Sequence, residues 1–556
     1  MTTTEQAPAS ATGPDGQGGG GRLRDGRRPL AAVAGLLSAG VALGMAELVA
    51  GPIGPQSSPV VAVGDAVITL VPEPVKAFAI ATFGAHDKTA LVVGTLVVVA
   101  VYAAVLGVLA LRRRAVGVVG IALFGVVGAT AAVTGPAGGP LDALPALVGA
   151  GAGIIALLAL LAPLTVPAAG TTDSRPDDGT PLDERLQTAL GSGDRKGAGL
   201  DRRRFFLTSG AAAGAAVVTG GAGRLLLRRL DVGGARADLT LPAPASPAAS
   251  LPAGADLAPQ VEGLTPLFTS NREFYRVDTA ITVPQISPAD YRLTLTGMFD
   301  APRTYTLDDL LGRDDVIERD TTLTCVSNTV GGRLAGTARW LGIPLGAFLR
   351  ENGIRSGADQ LVCRASDGMT IGAPARAALE VEDAMIAFGM NGEPLPVEHG
   401  FPVRMLIPGL YGYVSACKWM TGIEASTYGA FDAYWTERDW AAQAPIKIAS
   451  RIDTPAPLRR FPAGRRPIAG VAWAQTRGVS AVEVRVDDGP WLSAQLSPQV
   501  DADLWRQWVL PHDFGPGSYQ LTVRATSAEG EVQTGERAEP FPDGSSGLHS
   551  IRVTAT

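Results

Sequence analysis

Cys325 lies where a strand-like run opens into a glycine-rich loop, in the sequence TTLTCVSNTVGG at 321–332. A soft thiolate suits a heavy transition metal, and glycine backbone lets a bulky group approach closely. For an isolated cysteine the alternative is a small buried hydrophobic residue. Cys325 is therefore a candidate metal ligand whose context must decide between the two interpretations.

Three side chains downstream of Cys325 are suited to holding an anionic group. Arg404 lies in the apolar run VRML, where an unpaired charge is costly, so a ligand role is favoured. His399 precedes a glycine, and capping of a turn is its alternative role. Lys418 is next to Trp419, and its alternative is a surface lysine whose stem covers the ring. A phosphate group needs cations of this kind.

The first third of the chain and the remainder differ in amino-acid composition. A chain of 556 residues predicts several domains, because single hydrophobic cores stop growing near roughly 250–300 residues. Hydrophobic residues make up 46% of the chain, but charged residues concentrate after residue 170, so the first third alone is membrane-like. The net charge of −6 gives no basic field, which argues against nucleic acid as a partner.

The other cysteines and the histidines form no local metal motif. Cys363 and Cys417 have no paired spacing with Cys325, which argues against a disulfide framework or a zinc ribbon. The four histidines are scattered and offer no helix-paired ligands for a haem in the membrane. The sequence therefore indicates no haem.

Apolar runs predict an N-terminal membrane domain over residues 29–170, after a disordered arm at 1–28. The runs at 30–53, 89–111, 115–134 and 143–167 are each near the ~20 residues that a helix needs to cross a bilayer. The stretch 58–84 is also apolar, but charges and prolines interrupt it, so we expect it at the interface or packed on the bundle. The sequence thus predicts four membrane helices in this domain.

A fifth apolar run, at 205–224, carries the chain across once more. Arginine clusters before residue 29, at 112–114 and in the loop 171–204 fall on one side, which the positive-inside rule makes cytoplasmic. The large remainder would then lie outside the plasma membrane, in contact with lipid only through its anchor. The sequence DRRRFFL at 201–207 resembles a twin-arginine export signal. An ordinary anchor with positive flanks is the alternative.

The remainder divides into three segments. Residues 225–262 are rich in proline and alanine and predict a semi-rigid spacer. Residues 263–435 mix strand-like and helix-like runs. Alternating apolar runs at 436–556, separated by turn sequences, predict an antiparallel β-sandwich. The fold class is therefore multidomain: a helical membrane bundle of about five helices, a mixed α+β domain and a β-sandwich.

Several motifs of the second half occur together and in order: NREFYRVD at 271–278, TCVSN at 324–328, ARWLGIPL at 338–345, SDGMT at 366–370, MNGEPLP at 390–396, HGFPVR at 399–404, and PGLYGY at 408–413 before Lys418. In these motifs residues 263–556 resemble the sulfite oxidase family of molybdopterin-dependent oxidoreductases. The resemblance covers roughly half of the chain.

This resemblance implies a role for each matching residue. Cys325 would supply the protein thiolate to the molybdenum of a molybdenum–molybdopterin cofactor. The residues implied to bind the pterin are Asn271, Phe274, Tyr275, Arg276, Ser366, His399, Arg404, Ser415 and Lys418. The sandwich would be an immunoglobulin-like dimerisation domain, so a homodimer is implied, with a membrane-tethered monomer as the alternative.

The loop after Cys325 departs from the family pattern. Family members that oxidise sulfite carry arginines there, whereas residues 328–331 have none, so sulfite is not favoured. Arg333 and Arg339 are the nearest cations, and Arg339 is our catalytic candidate, with support of the adjoining turn as its alternative. The small substrate is left undefined, and without a haem module a separate electron-transfer partner is implied.

Three functions remain for comparison. The first is two-electron oxygen-atom transfer by the molybdenum cofactor. The second is a cofactor-free surface receptor built on the same fold, against which the presence of Cys325 and Arg404 argues. The third, hydrolysis by a cysteine nucleophile, lacks a suitably ordered histidine partner. Metal content separates the first from the other two.

Overall fold

The computed structural model describes residues 19–71, 87–165 and 201–556, together with Val75 and Thr82. The chain forms two compact units, Met1–Arg229 and Leu230–Thr556, called here the N-terminal and C-terminal units. The structure does not describe residues 1–18 of the predicted arm or residues 166–200, which include most of the predicted loop. It also does not describe most of residues 72–86, which include the second part of the apolar stretch 58–84.

Long apolar helices make up the N-terminal unit. Their bounds are α1 Gly19–Ile53, α2 Pro59–Leu70, α3 Asp87–Ala110, α4 Arg114–Thr134, α5 Ala143–Leu161 and α6 Arg202–Arg228. Five of the described helical segments are long and apolar enough to cross a membrane: Arg27–Ile53, Lys88–Ala110, Arg114–Thr134, Pro140–Thr165 and Arg202–Asp238. Length and composition thus agree with the five predicted spans.

Small residues bring α1 and α6 into backbone contact. A Cβ at Gly44 would lie 2.7 Å from Ala216 O, and a Cβ at Gly223 would lie 2.5 Å from the carbonyl carbon of Glu47. Only glycine fits at such an approach, as in small-residue contacts between membrane helices. The Glu47 carboxylate is paired, because Ser58 Oγ donates to its Oε1 at 2.5 Å.

The first part of the C-terminal unit contains two sheets built from ten strands: β1 Arg292–Gly297, β2 Arg303–Thr306, β3 Ile317–Thr324, β4 Ala335–Pro344, β5 Gln360–Ala365, β6 Thr370–Pro374, β7 Met385–Met390, β8 Glu393–Pro394, β9 Arg404–Leu406 and β10 Met420–Ser426. Short helices connect them: α7 Gly233–Asp238, α8 Leu307–Leu311, α9 Leu345–Glu351, α10 Ala375–Glu380 and α11 Gly412–Ser415. The predicted mixed α+β character is observed.

The two sheets enclose one apolar core. One has the order β2-β1-β10-β5-β6, and the other has the order β3-β4-β7-β8 with β9 paired to β7. Fully buried side chains from both sheets meet between them, including Leu293, Leu361, Phe388 and Met405. Cys363 belongs to this core and has no disulfide partner, as expected for a structural cysteine. Ile343, Ile386 and Met405 of this core hold β4, β7 and β9, and β3 is paired with β4. Cys325 directly follows β3, and Arg404 begins β9.

The last part of the C-terminal unit consists of nine further strands: β11 Ala449–Thr454, β12 Arg460–Phe461, β13 Gly464–Trp473, β14 Val479–Val486, β15 Trp491–Ser493, β16 Gln495–Leu496, β17 Arg506–Phe514, β18 Gly517–Ser527 and β19 His549–Ala555. They form the sheets β11-β13-β17-β16 and β12-β19-β18-β14-β15. Trp508 of the first sheet and Val484 and Val523 of the second lie in a shared core. The two sheets therefore pack face to face.

The predicted spacer differs from expectation after residue 230, because it packs on its own unit. Val232 is buried, and the guanidinium of Arg236 donates to Leu395 O at 2.8 Å and to Pro394 O at 2.6 Å. Ala255 is also buried. Scattered apolar residues in a proline-rich segment are enough to attach it to a surface, which composition alone did not reveal.

We expect that an engineered disulfide will form between α1 and α6, because the two helices are in contact. A Cβ at Gly40 would lie 3.6 Å from Ala216 Cβ, within the range that a disulfide requires. With Gly40→Cys/Ala216→Cys, α1 and α6 should stay joined after oxidation and cleavage at a protease site inserted near residue 185, as seen by non-reducing electrophoresis.

The matched control is Gly40→Cys/Gly221→Cys, since a Cβ at Gly221 meets nothing within 4 Å. The native cysteines do not interfere, because Cys325, Cys363 and Cys417 are all buried in the other unit. Equal cross-linking of both pairs, or of neither, would contradict the described packing.

Candidate functional site

The position of Cys325 is fixed by the hairpin between β3 and β4. Its N–H donates to Leu334 O at 2.9 Å, so the loop between them is closed at its base. Asn328 holds the loop from inside, because its N–H donates to Cys325 O at 3.0 Å and its Oδ1 accepts from Leu334 N at 2.9 Å. The thiol is buried, with 8% of the residue exposed.

The surroundings of Cys325 combine burial with groups that favour the thiolate. Burial raises the pKa of the Cys325 thiol, while hydrogen bonding from Ser327 and the charge of Lys418 act in the opposite direction. Tyr275 is adjacent, and burial together with the neighbouring Cys325 raises the pKa of its phenol. Because the raised pKa favours the thiol, a metal ion would be needed to bring Cys325 to the thiolate that coordination requires.

Arg404 is a buried cation whose hydrogen bonding is incomplete. Its guanidinium is buried, lies 5.0 Å above the ring of Trp340 and donates from Nη1 to His399 O at 3.0 Å. Burial lowers its pKa to about 10, and Nε has no hydrogen-bond partner in the described structure. A buried cation with free donors is costly without a ligand, so this site is suited to an anion.

His399 is held as a neutral ring. Burial lowers its pKa to about 4, with the charge of Arg404 acting in the same direction. Its Nε2 lies 3.0 Å from Asn271 O, a carbonyl that only accepts, so the proton is on Nε2. The ring also packs edge to face on Phe274 at 5.5 Å. His399 therefore connects the 271–275 segment to the strand of Arg404.

A second cationic cluster surrounds Asp278. Lys418 Nζ donates to Asp278 Oδ2 at 2.6 Å, and Arg276 Nε lies 2.7 Å from the same oxygen. Two cations share the Asp278 carboxylate, and the carboxyl of Asp367 is close enough to interact with both Lys418 and Asp278. Burial lowers the pKa of Lys418 to about 8, against the opposing effect of Asp278. Lys418, with 11% of its side chain exposed, is the cation of this cluster that is suited to an anionic ligand.

Unsatisfied polar atoms test whether the residues fit a polar cofactor. Thr324 Oγ1, Ser366 Oγ and Arg404 Nε are all buried and have no hydrogen-bond partner among the described residues. Native interiors rarely leave such groups unpaired. Thr324 adjoins Cys325, and Ser366 N–H donates to the carbonyl of Trp419, next to Lys418. A ligand with acceptor groups and negative charge, such as a pterin phosphate, fits these donors.

Two predicted residues are engaged elsewhere. Ser415 Oγ donates to the carbonyls of Leu410 at 2.9 Å and Tyr411 at 3.1 Å, so its hydroxyl supports a turn. Arg339 binds both carboxylate oxygens of Asp320, at 2.7 and 2.8 Å. This geometry favours a structural role for both side chains, and the functional roles assigned to them stay predictions.

Sequence reasoning missed three residues of the site. Trp340 underlies Arg404, Asp278 neutralises part of the Lys418 cluster, and Thr324 offers an unpaired hydroxyl. All three lie inside quoted motifs, so the signal was present. Their roles depend on contacts with distant segments, such as the 140 residues that separate Asp278 from Lys418.

We expect Arg404→Met to stabilise the cofactor-free chain by about 1–3 kcal/mol, because it removes an incompletely paired buried cation. The same change should lower retention of an anionic cofactor. Unfolding followed by tryptophan fluorescence reports on the C-terminal unit alone, since every tryptophan follows residue 339.

Arg376→Met is the matched control, because that side chain is 84% exposed. It should change stability by less than about 0.5 kcal/mol. A cofactor-free Arg404→Met chain that is less stable than the wild type would show that Arg404 is a satisfied structural group.

Comparison with known proteins agrees with this geometry. A family model described as the oxidoreductase molybdopterin binding domain matches residues 280–435. Sulfite oxidase of Gallus gallus is 26% identical over 325 residues, which cover 50% of this chain and 70% of that protein. Mitochondrial sulfite oxidase of Homo sapiens is 27% identical over 318 residues, 48% of this chain and 57% of that protein. The chain thus spans less than two thirds of the human relative.

Among solved structures, the sulfane dehydrogenase SoxCD from Paracoccus pantotrophus aligns with a TM-score of 0.46 and 22% identity, over 52% of this chain and 81% of that one. The matched range 280–435 contains Cys325, Ser366, His399, Arg404 and Lys418, whereas the 271–276 segment precedes it. Residues 280–435 are therefore the molybdopterin-binding domain of a molybdenum oxidoreductase of the sulfite oxidase type.

Proposed function

We propose that this chain is a membrane-anchored, molybdopterin-dependent enzyme that transfers an oxygen atom to or from a small substrate in a two-electron reaction. The observation that carries the proposal is the set of buried polar atoms without a hydrogen-bond partner, Thr324 Oγ1, Ser366 Oγ and Arg404 Nε, with Arg404 Nε as the most costly of them. A metal-binding thiolate beside sites for anions is what a molybdenum–pterin cofactor needs.

Each side chain has a distinct part in this proposal. The cofactor supplies the oxygen-atom and electron-transfer chemistry. Cys325 provides the thiolate ligand. The neutral ring of His399 connects the segment that precedes Arg404 to Asn271 through one hydrogen bond. Arg404 and Lys418 stabilise the negative charge of the cofactor, and the ring of Phe274 stacks on that of Tyr275.

The substrate is proposed to be small, with sulfur compounds as the first class to test. Residues 328–331 carry no cation, and Arg339 is occupied by Asp320. The exposed Arg333 is the one cation between Cys325 and Leu334, so an oxyanion such as sulfite would meet little other positive charge on this loop. A neutral sulfur compound is better suited to it, and a separate electron-transfer partner completes the cycle.

The membrane arrangement follows from the N-terminal unit. The five apolar spans and the arginines flanking them support a multi-pass anchor in the plasma membrane with the C-terminal unit outside. The two facing sheets of residues 449–555 support an immunoglobulin-like domain. Dimerisation through this domain is part of the proposal, by resemblance to the family.

Metal analysis tests the enzyme proposal. The full chain, purified from a host that makes molybdopterin, should contain near-stoichiometric molybdenum and pterin. Cys325→Ala should lose the sulfur ligand of the protein, seen by X-ray absorption at the molybdenum edge, since Cys363 and Cys417 are both buried in the apolar core.

Cys363→Ala is the control, because it removes a buried thiol from the apolar core and should leave the molybdenum spectrum unchanged. A folded wild-type chain without metal and pterin would reject the enzyme proposal. That result would favour the cofactor-free receptor.

Protease protection tests the orientation. In spheroplasts, an epitope inserted near residue 185 should be protected from added protease, while an epitope after Thr556 should be removed. Permeabilised cells provide the control, since both epitopes should then be digested. Protection of the C-terminal epitope in intact spheroplasts would contradict an external catalytic unit.

A further inference from the structure

The loop that carries Cys325 is held from outside its own sheet. Its base and the Asn328 turn are fixed by hydrogen bonds within the loop, as described above. Residues 328–332 also contact side chains from the last part of the C-terminal unit. These contacts come from β11, from β19 and from the segment before β19.

Arg451 on β11 makes the most extensive of these contacts. Its Nη1 donates to Gly332 O at 3.0 Å, its Nη2 donates to Thr265 Oγ1 at 3.0 Å and its Nε donates to Asp453 Oδ1 at 2.6 Å. The side chains of Arg451 and Asp453 are 6% and 8% exposed. A buried ion pair stays favourable only when further hydrogen bonds satisfy it, so the planar guanidinium is fixed in one orientation.

His549 at the start of β19 braces the neighbouring glycine. Its Nδ1 accepts from Ile452 N at 3.0 Å, which fixes the ring. Gly331 has φ +78°, a conformation that favours glycine. A Cβ at Gly331 would collide with the imidazole. A third contact comes from Ser545, whose Oγ donates to Asn328 O at 2.6 Å.

We propose that Arg451 is a positioning residue for the metal thiolate, with His549 as its partner. Gly332 lies two residues before Leu334, whose carbonyl accepts the Cys325 N–H. A displacement of Gly332 is therefore transmitted to Cys325 by a short segment and one hydrogen bond. Groups around a ligand tune the metal by orienting that ligand. The last two sheets are thus part of the support of the active site.

This inference rests on the proposed function, since it assumes that Cys325 binds molybdenum. The test uses the full-length, cofactor-loaded chain, with molybdenum content and the Mo(V) electron paramagnetic resonance spectrum as readouts. Arg451→Met should keep most of its molybdenum, but at least one g value should move by more than the wild-type linewidth. A loss of stability alone would not change the g values of a chain that remains folded and contains molybdenum.

Two variants separate positioning from charge and from folding. Arg451→Lys keeps the charge beside Asp453 but cannot donate to Gly332 and Thr265 at once, so it should not restore the wild-type spectrum. His549→Ala removes the brace without breaking the Arg451–Asp453 pair, and should give a smaller shift of the same kind. Arg465→Met, on the exposed side of β13, is the control and should give the wild-type spectrum.

The outcomes are distinguishable. A loaded Arg451→Met chain with the wild-type spectrum would overturn the positioning role, and so would full restoration by lysine. Where Arg451→Met does not fold, His549→Ala decides: a shifted spectrum supports the role and an unchanged one overturns it. A wild-type chain without molybdenum would reject the proposed function instead.

Discussion

The burial of an incompletely paired guanidinium is the constraint on which the site of this protein depends. Arg404 is buried with a hydrogen bond to His399 O, an aromatic ring beneath it and an unpaired Nε. Burying such a charge without a partner costs several kcal/mol, on the order of half the stability of a domain. Such a group is suited to an anionic ligand, and the contacts among Phe274, His399 and Trp340 hold it in place.

The thiolate and the cations come from different elements, and their proximity results from the two central sheets. Cys325 follows β3, Arg404 begins β9, and Lys418 lies two residues before β10. β9 pairs with β7 in the same sheet as β3, while β10 belongs to the facing sheet. The core between the sheets therefore determines the distance between Cys325 and the cations that we propose to neutralise the cofactor. Changes deep in this core would act on the site without touching it.

The backbone N–H and C=O groups of the two units find their hydrogen-bond partners in different ways. In the N-terminal unit, helices satisfy their own backbone groups and pack through glycines such as Gly44 and Gly223. In the C-terminal unit, sheets pair across long sequence separations, and side chains such as Arg451 satisfy the loop carbonyls that remain. Loops of this kind are well placed to hold a cofactor because their backbone groups are already committed to fixed partners.

The sequence by itself determined the features that depend on local composition. It predicted five apolar spans, the strand before Cys325 and the mixed and β-rich parts of the second half, because hydrophobic periodicity is a local property. It also identified Arg404, since an arginine in an apolar run needs a partner. Its motifs then indicated the molybdopterin-binding domain over much of the range that the family match covers.

Only the tertiary structure decided which partner each charge has. Arg339 and Asp320 are paired by the register of β3 and β4, and that pairing favours a structural role over the predicted catalytic one. The link from Arg451 to Gly332 crosses 119 residues, and the attachment of Arg236 to Leu395 crosses 159. Such contacts are set by the packing of whole sheets, and no local pattern specifies them.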